Sequence, residues 1–127
     1  MAAMPGNATF RAWLISIALA WAAATTIVAV GAAEPTFDLR IERGRVPESM
    51  QVIRVKEGDV VKLRWATDRP ITLHLHGYDI EMKIEPGTVG VMEFVARATG
   101  RFPVEVHDPA GGHSHGEAPL VRIEVYP

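Results

Sequence analysis

Between Thr36 and Tyr126 the chain sustains no helical period. Apolar and polar side chains alternate there in short runs closed by Gly, Pro and Asp. This constrains the fold most, because a period of two puts successive side chains on opposite faces of a pleated strand. Val60 to Thr67 shows it cleanly, with Val61, Leu63 and Trp65 on one face and Lys62 and Arg64 on the other. Ile71 to His76 repeats it, with Ile71, Leu73 and Leu75 opposite Thr72, His74 and His76. Further strands are predicted over Thr36 to Ile41, Gln51 to Val55, Ile80 to Ile84, Val91 to Ala96, Phe102 to His107 and Leu120 to Tyr126. Turn signals separate them: Lys56-Glu57-Gly58-Asp59, Asp68-Arg69-Pro70, Glu85-Pro86-Gly87-Thr88 and Thr99-Gly100. Short strands at this spacing predict an all-β fold, an antiparallel sandwich or barrel. Asp108 to Pro119, rich in Gly and Pro, is the longest loop.

The N-terminus follows a different rule. Ala12 to Val30 is apolar apart from Ser16, Thr25 and Thr26, no acidic residue precedes Glu34, and Gly31-Ala32-Ala33 are small. Residues 1–33 therefore read as a secretory signal cleaved near Ala32 or Ala33. Left uncut, the same stretch is near the ~20 residues that span a bilayer and would be a membrane anchor. Either way residues 34–127 form one exported domain, periplasmic or secreted, and membrane contact is expected only if the segment stays.

The 127 residues include no cysteine, which excludes disulfides, thiol catalysis, iron–sulfur clusters and thiolate-ligated copper. A net charge of −2 gives no reason to expect nucleic acid as a partner. Histidine is left for metal chemistry. The parity of Ile71 to His76 sends His74 and His76 to one face, so two imidazoles one strand-step apart can approach one metal ion. The same parity puts Val104 and Val106 inside and Glu105 and His107 outside. His113-Ser114-His115 adds a second His pair in the glycine-rich loop. Each group has a plainer explanation: an exposed strand face, a strand end, a solvated loop. Met50, Met82 and Met92 read as core filling, and Asp79 with Glu81 as a solvated edge. Arg69-Pro70 reads as a turn.

The pattern Ile71-Thr72-Leu73-His74-Leu75-His76-Gly77, followed by Gly100-Arg101-Phe102 and the strand ending Val106-His107, resembles a cupredoxin domain over Phe37 to Val125. That resemblance implies a Greek-key β-sandwich. His74-Leu75-His76-Gly77 also matches the His-x-His-Gly motif of multicopper oxidases. By the same resemblance the position of the copper-binding cysteine falls at Val106, and that of its histidine partner at Ile71. Both are aliphatic, so the inner copper centre is expected to be filled with hydrocarbon and blue-copper electron transfer to be lost. The outer positions keep His74, His76 and His107, with Glu105 as a neighbour. A trinuclear oxidase cluster needs more histidines than one such domain supplies, so no catalysis is expected.

The sequence thus predicts an exposed site of His74, His76 and His107, completed by Glu105 or by His113 or His115. Nitrogen ligands without thiolate favour a copper ion, Cu(II) before Zn(II). Binding needs neutral imidazoles and should weaken as pH falls through the ordinary histidine value near ~6.5. The competing expectation is a metal-free β-sandwich module that has no cofactor and engages an exported protein partner.

Overall fold

The structure, a computed structural model, describes residues 2–3, 26–27, 29, 31–107 and 118–127. Most of the segment read as signal or anchor lies outside these residues, as do His113 and His115. Among the described residues no helix is long and apolar enough to cross a membrane.

Among the described residues eight strands form two sheets: β1 (Thr36–Ile41), β2 (Val52–Lys56), β3 (Val60–Thr67), β4 (Ile71–Leu75), β5 (Ile80–Ile84), β6 (Gly90–Val95), β7 (Gly100–His107) and β8 (Val121–Tyr126). One sheet has the order β1-β3-β6, the other β2-β8-β7-β4-β5. Period-two alternation does the work in both. Leu39, Ile41, Val61, Leu63, Trp65, Met92 and Phe94 line the inner face of the smaller sheet. They meet Ile53, Val55, Leu73, Leu75, Ile84, Val104, Val121, Ile123 and Val125 from the larger one. Met50 and Met82 pack partly buried against this core.

The all-β sandwich is as the alternation implied, but the sheets are mixed rather than antiparallel throughout: β1 pairs with β3, and β2 with β8, in parallel. The cause is local. At Lys56-Glu57-Gly58-Asp59 the chain reverses, with Asp59 N–H donating to Lys56 O at 3.1 Å and Lys56 N–H to the Asp59 carboxylate at 2.9 Å. β2 and β3 on either side of this turn lie in different sheets. The reversal therefore changes layer instead of forming a hairpin, and β1 and β3 run the same way.

A second correction concerns Val106. Parity places it inside with Val104, yet it is 47% exposed while Val104 is fully buried. Val106 is the penultimate residue of β7, and there it lines an open cleft with the turns that follow β1 and β3. Alternation fixes which way a side chain points but not whether an opposing layer reaches that far.

On the outer face of the larger sheet, Arg54, Glu124 and Arg101 share one cross-strand row. Glu124 is 8% exposed. Its carboxylate accepts the Tyr126 hydroxyl at 2.6 Å and faces Arg54 at 3.3 Å and Arg101 at 3.7 Å. The Tyr126 hydrogen bond, helped by the two guanidinium groups and opposed by burial, holds the Glu124 pKa below its ordinary value of 4.5. Its stabilising contribution is therefore present above that value and is lost as pH falls through the lowered folded one. Glu124→Gln should lower stability near neutral pH and flatten its loss in acid, read as urea midpoints across a pH series. Leu73→Ala, which empties a fully buried position on a central strand, should cost about 2–5 kcal/mol by the same assay.

Candidate metal centre

β4 lies between β5 and β7, and its register decides what each outward side chain meets. His74 is opposite Glu81 on one side and Glu105 on the other. His76 follows the last residue of β4, and its N–H donates to Pro103 O at 3.0 Å, which carries the strand direction one step further. The result is a compact group: His74 and His76 ring centroids are 4.2 Å apart, and His76 Nε2 is 2.9 Å from Glu105 Oε2. His74 Nε2 lies 3.6 Å from Asp79 Oδ1. The His74, His76 and Glu105 side chains are partly exposed to solvent, and Asp79 is fully exposed.

Gly77 is what lets the chain turn after this pair. Its φ is +85°, and a Cβ there would lie 2.5 Å from Phe102 Cδ1. Left-handed backbone and a close aromatic ring both require glycine. Asp79 in the same turn also has positive φ, at 58°. The Gly of the His-x-His-Gly string thus has a structural reason independent of any metal.

The structure brings His74, His76 and Glu105 together. His107 stands opposite Thr72, a strand step further along, with Nδ1 4.0 Å from Glu81 Oε2. β4 and β7 are antiparallel, so histidines late in both strands are carried toward opposite ends. Among the described residues no group of three or more His, Asp or Glu is disposed to hold a metal ion. A pair is nevertheless in place. Imidazole and carboxylate ligands each sit about 2.0–2.1 Å from a small divalent ion, so two at right angles lie roughly 2.9 Å apart. In this structure His76 and Glu105 meet as a hydrogen-bonded pair at 2.9 Å, in which a metal ion would take the place of the shared proton.

The inner position fails the same test. Ile71 and Val106 offer no nitrogen or sulfur; His107 lines the same cleft, but so do Arg43, Arg45, Arg69 and Lys83, which repel a cation. Copper fits the outer donors by ligand type and does not fit the inner place.

No protein-family pattern and no curated protein matches the sequence. Solved structures do match the fold. A chain of a heme-copper terminal oxidase dimer superposes with a TM-score of 0.60 at 21% identity, covering 78% of this chain and 68% of its own. A copper-binding protein in the apo form gives 0.57 at 10% identity, covering 74% and 89%. The periplasmic domain of subunit II of cytochrome oxidase from Bradyrhizobium japonicum gives 0.56 at 16% identity, covering 72% and 83%. The chain is a cupredoxin-fold β-sandwich, and with no cysteine it lacks the type 1 copper ligand.

Gly77→Ala should destabilise the protein by about 1–3 kcal/mol through strain at positive φ. Urea unfolding reads the loss, and a neutral outcome would mean that the turn and Phe102 rearrange freely.

Proposed function

We propose that this is an exported cupredoxin-fold protein that binds a copper ion, Cu(II) before Zn(II), through His74 and His76 with Glu105. His113 or His115, in the sequence that follows β7, supplies a further nitrogen. The role is buffering or delivery of copper outside the cytoplasm, without blue-copper electron transfer and without catalysis. The observation that carries this reading is the imidazole pair 4.2 Å apart with a carboxylate 2.9 Å from one ring. The copper-associated proteins that share the fold support the choice of metal, and the periplasmic setting of one of them, with the apolar N-terminus, supports export.

Cu(II) titration of the full-length protein against a competing chelator tests it. One-to-one binding is expected, with weak visible absorption because no thiolate is available. His74→Ala with His76→Ala should weaken it at least about tenfold, as loss of metal-supporting groups generally does. Both side chains are partly exposed, so the fold survives the change. Equal affinity in the two proteins would defeat the reading. Binding should also weaken as the solution is acidified, since protonated imidazole cannot ligate.

A second reading has its own observation. Ile71 and Val106 replace donors by hydrocarbon, and the outer polar groups already satisfy one another, as His76 and Glu105 do. A metal-free module recognising an exported protein would need nothing more. Such a protein would show no saturable copper uptake, and the titration separates the two.

A further inference from the structure

We propose that the cleft at the Ile71–Val106 end of the sandwich binds a small phosphate ester, with the phosphate on its arginines and the apolar part of the molecule on Ile71 and Val106. The cleft has a volume of about 630 Å³, within the roughly 300–1,000 Å³ of small-molecule sites. Arg43, Arg45, Arg69 and Lys83 line it, and no Asp or Glu does so among the described residues. Four of the chain's 13 Lys and Arg therefore face one cleft in a protein of net negative charge. Mutual repulsion among them opposes folding, and a multiply charged oxyanion relieves it. Guanidinium forks suit phosphate oxygens in particular.

The backbone that carries the arginines is held by two interlocked turns. Glu42 and Arg45 exchange backbone hydrogen bonds of 2.8 and 3.0 Å across a tight turn whose central residues, Arg43 and Gly44, have φ of 52° and 76°. Glycine or asparagine suits such a position, and an arginine there costs on the order of 1 kcal/mol. Asp68 Oδ2 accepts the Arg43 N–H at 2.9 Å and ties this turn to the β3–β4 connection. The Arg69 guanidinium lies on Gly44, where a Cβ would come within 2.8 Å of Nη2. Two of the cations have nearby carboxylates: Arg69 Nε is 3.9 Å from Asp68, and Lys83 Nζ is 2.9 Å from Glu85. The Arg43 and Arg45 side chains have no acidic partner among the described residues. Ile71 and Val106 add apolar surface to a lining otherwise rich in cations, which favours an anion with a hydrocarbon body over a bare one.

Titrating the full-length protein with phenyl phosphate, followed by calorimetry at low ionic strength, tests the proposal. Saturable one-to-one binding is expected, weakened at least tenfold in Arg43→Gly with Arg45→Gln. Glycine suits the φ at residue 43, so this variant keeps the turn. Lys62→Gln, on the other sheet, should leave binding unchanged. Absence of saturation, or equal affinity in the double variant, would overturn the site. Binding to phosphatidylglycerol vesicles without binding to phenyl phosphate would overturn it too, assigning the cations to a lipid surface. The proposal does not depend on copper, and His74→Ala should leave it intact.

Discussion

The antiparallel register of β4 against β7 is the constraint on which the arrangement of functional groups depends. It sets Leu73 opposite Val106, His74 opposite Glu105 and Thr72 opposite His107. On the inner side, this register carries Leu73 and Val104 into the core. On the outer side it alternates carboxylate and imidazole across three strands. A slip of one residue would exchange the two faces and put imidazoles against Trp65 and its neighbours, so core burial enforces the outer pattern. The polar row is therefore fixed by hydrophobic packing on the other face of the same strands.

The fold separates two chemistries along β4. Near its start, Ile71 is surrounded by hydrocarbon and cations. Past its end, His76 is held among nitrogen and carboxylate groups. By charge alone the first place disfavours a metal cation and the second disfavours an oxyanion. Neighbours that share this fold include a copper-binding protein and a heme-copper oxidase, but sequence identities of 10–21% carry the architecture alone. The chemistry has to be argued from the side chains present, because one fold hosts many sites.

The strands were legible because alternation is a local property. Thr36–Ile41, Val60–Thr67 and Ile80–Ile84 stand as the alternation placed them, and the others agree to within two residues. What alternation cannot express is which strands become neighbours, so the parallel β1–β3 and β2–β8 pairs were not visible. Nor can it say where an opposing layer stops, which is why Val106 lies open beside a buried Val104. The pairing of His74 and His76 was legible as a spacing of two along one strand. Their neighbour Glu105 was read onto the outer face of another strand, and the structure supplied its register. The arginine cleft left no signal: Arg43, Arg45, Arg69 and Lys83 are scattered along the chain, and Arg69-Pro70 reads only as a turn.

The central proposal is that copper binds at the outer imidazoles and not at the Ile71–Val106 position, which is an open cleft ringed by cations. Elemental analysis of the full-length protein recovered from copper-replete cells, without chelator or added metal, tests this most directly. The account predicts close to one copper per chain, lost when His74 and His76 are replaced by alanine. Protein that carries no copper, or that retains it after both replacements, would contradict it.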